Sequence, residues 1–383
     1  MTLQEKWKSE RERKAYLALA DGSVFYGYSV GAPADALGEV VFNTGLSGFE
    51  EMVTDPALAG KLVLCVASEV GNAGMNVTDM ESEKIQVAGL MLSELNKDSN
   101  WRSEKSFQEA LVQDNVPAIA GIDTRALTLH LRENGAQRGF ICTSGSVAVE
   151  EGIERAKAWK GLEGTDFVEK VSCQEPYEAE DSLVYGYGKP ETLPPADLHM
   201  VVYDFGVKRE LLRKLRLMGF RVTVVPAKTS AEDVLAMKPD GVFFAGGPGD
   251  PNTVNYGIET AKKLLGKVPV MGFGLGHLIL GIACGAKAER LKFGHHGGNQ
   301  PVKDLELDRT MITSECTSFS INEKSIDPKV LKVTHRNLND GSVEGLKHLQ
   351  APMVSIQFFP DAASAPYEDE SFFSRCRKLI LSK

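Results

Sequence analysis

The sequence lacks most of the patterns that would assign it to a class quickly. It has six cysteines, Cys65, Cys142, Cys173, Cys284, Cys316 and Cys376, but no C-x-x-C pair among them. That spacing excludes a zinc knuckle and a disulfide framework and points to a reducing compartment. No apolar run reaches about 18 residues, which excludes an ordinary spanning helix. The opening stretch MTLQEKWKSERERK has no apolar core of a secretory signal, so the expected location is cytoplasmic, with no membrane contact. Positive charge is not in excess: 43 Lys and Arg stand against 52 Asp and Glu, for a net charge of −9. This argues against nucleic acid as a partner and leaves proteins and small ligands. The glycine-rich turns carry no G-K-[ST] ending. The glycines at 272, 274 and 276 also miss the dinucleotide pattern, because Ile279 stands where a third glycine is needed. No cofactor is therefore expected. Adjacent His295 and His296 point in different directions on any regular element and have no third ligand at metal spacing, so a structural role is expected and no metal. No internal repeat is evident.

A chain of 383 residues with 43% apolar and 25% charged residues is globular and too long for one ordinary core. Residues 1–14 read as a charged, solvated helical arm in which Glu10 and Lys14 form an i,i+4 pair. Residues 15–150 read as a mixed α+β domain. Asp21-Gly22 turns a hairpin, strands follow in GEVVFNTG and GKLVLCVASEV, and helices in EKSFQEALVQDN and DTRALTLHLRENG, the latter closed by Gly135. Residues 151–198 are polar and irregular, which suggests a connecting segment. From 199 to 383 strands alternate with helices: HMVVYDF, VKRELLRKLRLMG, RVTVVPA, a helix with a capping box from Thr229 to Glu232, and GVFFAGG. That alternation predicts a doubly wound parallel sheet, so the expected class is α/β with a mixed N-terminal domain. Glu50 and Glu51 read as a solvated pair on opposite faces of a strand.

The segment PVMGFGLGHLIL, Pro269–Leu280, has the strand–turn–helix layout of a nucleophile elbow, with Gly274 at its apex. A second glycine-rich turn, AGGPGDP, follows another strand. Both turns face the carboxyl ends of strands, where ligands bind in such sheets. Backbone N–H groups there can form an oxyanion hole, and a plain tight βα turn is the competing reading.

The words GGPGDP, PVMGFGLGH, KFGHHGGNQPV, VTHRNLNDGSVEGLKH and VSIQFFPDAASAPYE occur in one order. Together with DGSVFYG, EVGNAGMN and PAIAGIDTRALTLHLRENGA upstream, they resemble the small, glutamine-hydrolysing subunit of carbamoyl phosphate synthetase. That subunit is a class I glutamine amidotransferase. The resemblance covers nearly all of the chain beyond the first fourteen residues. It implies a class I amidotransferase fold for 199–383 and a large synthetase subunit as partner. It also implies a place in making carbamoyl phosphate for pyrimidine and arginine biosynthesis.

The family's chemistry resembles a Cys–His–Glu arrangement in which the cysteine attacks the glutamine amide, the histidine moves the proton and the glutamate orients the histidine. The usual elbow reads G-x-C-L-G-H-Q, and here Gly274 takes the cysteine position. The usual downstream word is Q-[YF]-H-P-E-A, and here Phe359 takes the base position and Asp361 the orienting one. Positions that resemble glutamine contacts fall on Gly45, Leu278, Cys316, Ser318 and Phe319, with backbone donors expected from Gly247, Gly249 and Leu275. Of these, Gly45 replaces the usual Ser, Leu278 the Gln, Cys316 the Asn and Ser318 the Gly. The expectation is a glutaminase-type subunit without glutaminase activity, which supports or regulates an ammonia-using large chain. The alternatives are a repurposed scaffold or ligand-binding protein, and a hydrolase whose nucleophile has moved to Cys316 with His277, His295, His296 or His335 as base.

Overall fold

The computed structural model describes residues 11–179, 185–186, 189–190, 193–359 and 372–382. The expected arm, with Glu10, lies almost wholly outside them, and Lys14 opens the first strand instead of ending a helix. Contacts divide the chain into two units. One comprises Met1–Thr165 with Lys292–His296, and the other Asp166–Leu291 with Gly297–Lys383. No helix among the described residues is long and apolar enough to cross a membrane.

The first unit is built on a closed barrel. Its strands are β1 (Lys14–Leu19), β2 (Val24–Ser29), β3 (Asp35–Asn43), β4 (Lys61–Cys65), β5 (Gly89–Met91), β6 (Ala118–Ala120) and β7 (Gln137–Cys142). They run in the order β1-β2-β6-β5-β4-β3-β7, closed by pairing of β1 with β7. The β1–β2 turn has Gly22 at φ 95°, with the Ser23 N–H donating to Asp21 Oδ1. Strand alternation sorts β1 cleanly: Leu17 and Leu19 join Leu62, Leu64 and Ile141 in one core, and Tyr16 and Ala18 join Phe140 in another. The helices are α1 (Phe49–Val53), α2 (Phe107–Gln113), α3 (Thr124–Asn134) and α4 (Val149–Ala158). Ser106 and Glu109 form a reciprocal capping box for α2, and Asp123 caps α3, which ends at Gly135.

The segment expected to be an irregular connector, 151–198, is more ordered than its composition suggests. Most of α4 falls within it, with Gly152 packed so closely on Tyr16 that a Cβ there would lie 2.7 Å from the phenol oxygen. Strand β8 (Tyr177–Glu178) then pairs antiparallel with a strand about 45 residues downstream. That pairing is non-local, which is why local periodicity did not show it. Two further two-residue strands, β9 (Tyr185–Gly186) and β10 (Lys189–Pro190), pair with each other.

The second unit carries a 10-stranded sheet. Its parallel centre comprises β11 (Leu198–Asp204), β12 (Phe220–Pro226), β13 (Gly241–Phe244), β14 (Val270–Phe273) and, much later in the chain, β19 (Met353–Ile356). An antiparallel wing extends it through β15 (Ala288–Asp304), β16 (Arg309–Ile321), β17 (Leu331–Asn337) and β18 (Val343–His348). The helices are α5 (Arg209–Leu217), α6 (Ala231–Ala236), α7 (Asn255–Leu264), α8 (Leu275–Ala283) and α9 (Phe372–Leu381). Each central strand is apolar on both faces, as a sheet covered on both sides requires. Met200, Val202, Phe243 and Met271 pack with residues of α5 and α9, while Val201, Tyr203, Val242 and Val270 pack with residues of α6, α7 and α8. The expected doubly wound α/β class is thus present. One detail differs: α6 is capped by Ser230, whose hydroxyl accepts from the Asp233 N–H, one residue on from the expected Thr229–Glu232 box.

Candidate functional site

From β11 the chain winds to β12 on one side and to β13 on the other, so a topological switch point lies between β11 and β13. Crevices at the carboxyl ends of strands beside such points are the ligand positions of open α/β sheets. The candidate site lies at these ends, where the turns after β13, β14 and β19 converge.

Gly274 sits between β14 and α8 at φ 56°, ψ −120°, a backbone geometry that a side chain strains. Its N–H donates to the Ile356 carbonyl at 3.0 Å, tying the elbow to β19, and the Gly276 N–H donates to the Ala245 carbonyl at 3.0 Å, tying it to β13. The apex is tight but not blocked: a Cβ on Gly274 would lie 3.3 Å from Gly246 Cα, so that neighbour would have to give by a few tenths of an ångström. Its neighbours have no room. A Cβ on Gly276 would lie 2.1 Å from the Phe244 carbonyl oxygen, and one on Gly247 would lie 2.0 Å from that of Phe205. Leu275 lies against Gly247, and Gly249 follows at φ 92°. The structure therefore brings Gly247, Gly274 and Leu275 together, as the sequence pattern requires of an elbow beside a glycine-rich turn.

Phe359 follows β19. Its N–H donates to the Ser314 carbonyl at 2.9 Å, and its side chain is buried. The ring meets Phe273 edge-on at 5.2 Å between centroids, and Phe273 in turn contacts Phe243 at 6.2 Å. The ammonium of Lys208, ahead of α5, stands 4.6 Å from the Phe359 centroid, within cation–π range. Phe273 and Lys208 were not singled out from the sequence. The signal for Phe273 was present, an aromatic at the residue before the apex, but only the fold shows that it faces Phe359. Asp361 lies outside the described residues.

The remaining pocket candidates divide. Leu278 and Phe319 are buried in the same core as Leu275, and Ser318 is buried on β16. Cys316 is half-buried on β16, two residues from the Ser314–Phe359 bridge. Gly45 belongs to the first unit, on the loop after β3, where its N–H donates to Asn43 Oδ1 at 2.7 Å.

The histidines weighed as relocated bases are engaged elsewhere. His335 Nδ1 lies 2.9 Å from Thr334 Oγ1 and its Nε2 3.4 Å from Asp304. His295 and His296 belong to the first unit. His277, on α8, is fully buried with Nδ1 2.9 Å from Ser355 Oγ, and its Nε2 has no partner among the described residues. Burial pushes its pKa down to about 3, with His335 acting in the same direction. The folded state thus keeps His277 neutral, whereas the unfolded chain protonates it below about 6.5. Its stabilising effect is complete above that pH and is lost as pH falls toward the folded value. Integrated from pH 6.5 to 4.5, this predicts a loss of roughly 2 kcal/mol for the second unit, because the slope reaches about 1.4 kcal/mol per pH unit only well below 6.5. Amide exchange across α7 measures this, and His277→Asn, which keeps an acceptor or donor for Ser355, should flatten the acid limb.

One expectation is overturned in the first unit. Glu50 and Glu51 lie on helix α1, not on a strand, and Glu50 is only 4% exposed. Burial pushes its carboxyl up to about 8, against the Asn76 N–H that it accepts. The Asn76 side-chain amide bridges Glu50, at 3.0 Å, and Asp79, at 2.9 Å, so Glu50 anchors a loop and is not part of a solvated pair.

Comparison with known proteins divides the chain similarly. Residues 17–141 match the family described as carbamoyl-phosphate synthase small chain, CPSase domain. Residues 201–379 match glutamine amidotransferase class-I. A carbamoyl phosphate synthase small chain from Photorhabdus laumondii is 43% identical over 373 residues, covering 96% of each chain. One from Polynucleobacter necessarius is 45% identical over 381 residues, covering 96% of this chain and 95% of its own. A chloroplastic small chain from Oryza sativa is 41% identical over 372 residues, covering 97% of this chain and 82% of its own.

Proposed function

The chain belongs to the carbamoyl-phosphate synthase small-chain family, and from that premise we propose that it is a small chain that no longer hydrolyses glutamine and serves a large synthetase subunit fed by free ammonia. The observation that carries this reading is the elbow. Gly274 holds the strained apex without a nucleophile, and the place of the base is taken by Phe359, buried edge-on against Phe273 under Lys208. A phenyl ring neither accepts nor donates a proton. The turns around the apex persist because they build the sheet. What remains for such a subunit is to stabilise the large chain, to close its ammonia entry or to regulate it.

Native capture of the full-length protein from its own cells, with partners identified by mass spectrometry, tests this. Recovery of a carbamoyl phosphate synthetase large subunit, and carbamoyl phosphate synthesis by that complex from ammonia but not from glutamine, is the expected outcome. Recovery of other proteins without a synthetase would show that the docking surface has been given to another partner. Ammonia release from glutamine that disappears in Cys316→Ala would instead establish a relocated nucleophile.

A further inference from the structure

Five residues of β15, Lys292–His296, belong by their contacts to the first unit, although the chain on either side belongs to the second. They form a strap. The Ala136 N–H donates to the Lys292 carbonyl at 2.8 Å, and the Phe293 ring lies 5.4 Å from that of Phe42. At the far end the Thr44 N–H donates to the His296 carbonyl at 3.2 Å. Gly135 is shaped to the strap as well, because a Cβ there would lie 2.9 Å from the Lys292 carbonyl oxygen.

His296 ends the strap beside a buried lysine. Its Nε2 lies 3.1 Å from Lys61 Nζ, and the two residues are 3% and 2% exposed. An ammonium has three donors and no acceptor, so Nε2 must accept and the ring proton must sit on Nδ1. That Nδ1 has no partner among the described residues. The ring is therefore held in one neutral tautomer, with one bond made and one donor unpaired. The charged and titratable groups acting on it are Lys61 on β4 and His295 in the strap itself, and Glu39, buried on β3, stands in register with Lys61. Burial holds the imidazole well below its usual pKa, and both Lys61 and His295 act in the same direction.

We propose that His296 is an acid-sensitive latch that holds the Lys292–His296 strap on the first unit and releases it when protonated. A proton on Nε2 replaces the Lys61–His296 hydrogen bond with two cations in contact inside a buried site. The relief available is for the strap to leave, carrying His296 to water. Lysine 61 remains with Glu39 beside it. The inference does not depend on whether the elbow is catalytic.

The test is hydrogen exchange on the full-length protein between pH 7.5 and 5.5, with rates corrected for intrinsic chemistry. The reporters are the two donors that the strap protects, the amides of Thr44 and Ala136. Below about pH 6.5 their protection should fall by about tenfold per pH unit, as for an opening that takes up one proton. The barrel amide of Ala32, which donates to Val116, should stay constant. His296→Gln keeps an acceptor for Lys61 but cannot protonate, so its protection should be flat across the range. Lys61→Met removes the facing cation, so the total acid loss should shrink even if His296→Gln does not fold. No loss in the parent protein below pH 6.5, or a loss of the same size in every variant that folds, overturns the latch.

Discussion

Glutamine supplied in excess is expected to yield no ammonia above the uncatalysed background. In measured hydrolases, loss of the nucleophile or the base alone costs about as much as loss of the whole unit, on the order of a millionfold, or roughly 8 kcal/mol of barrier. On the proposed reading both positions fall on residues with no such chemistry, Gly274 and Phe359. The same non-additivity predicts the reversion series. Gly274→Cys requires only a small shift of Gly246 at its Cβ, since the nearest backbone atom to that Cβ is 3.3 Å away. It should nevertheless stay at background, because Phe359 cannot take the thiol proton. Phe359→His alone should do the same for want of a nucleophile. Coupled detection of released ammonia with each purified protein measures this, and turnover by the parent chain that survives Cys316→Ala would defeat the reading.

The second large effect separates the fold from the chemistry within three residues. Gly276→Ala should cost more than about 4 kcal/mol or abolish soluble expression, because its Cβ would sit 2.1 Å from a backbone oxygen of β13 that cannot move without unpairing the sheet. Gly247→Ala should behave likewise, with its Cβ 2.0 Å from the Phe205 carbonyl oxygen. Gly274→Ala meets no such clash and should cost only the strain of a non-glycine residue at φ 56°, about 1–3 kcal/mol. For a unit of this size that is a fall of roughly 2–12 °C in melting temperature. Equal losses at Gly274 and Gly276 would mean that the apex, too, is held by packing. The contrast also accounts for glycine at the apex. Glycine tolerates φ 56° where a side chain is strained, while its neighbours are fixed by the backbones they touch.

The second unit was legible because its signals are local. Alternation along Met200, Val201, Val202 and Tyr203 distributes them between two cores, and the β–α spacing then permits little besides a parallel sheet. The elbow was legible for the same reason. Barrel closure was not, since it rests on β1 meeting β7 and β2 meeting β6, pairings across roughly a hundred residues that carry no local mark. Glu50 was misread because a two-carboxylate surface pair and a buried loop anchor have the same sequence; what distinguishes them is Asn76, 26 residues away. Phe359 was singled out from the sequence, but its edge-on seat against Phe273 required β14 and β19 to be neighbours.

The strap has a genetic consequence. Because residues 292–296 complete a unit otherwise confined to Met1–Thr165, the chain changes unit three times, at 165/166, 291/292 and 296/297. Neither unit is therefore a contiguous stretch of coding sequence. A recombination event that exchanged residues 1–165 with those of a relative would import a new Lys61 pocket and leave the old His296 to fill it. Nor would a single proteolytic cut after Thr165 free the first unit as a whole, because its last five residues would stay on the other fragment. An exchange that keeps both units whole must therefore carry 1–165 and 292–296 together.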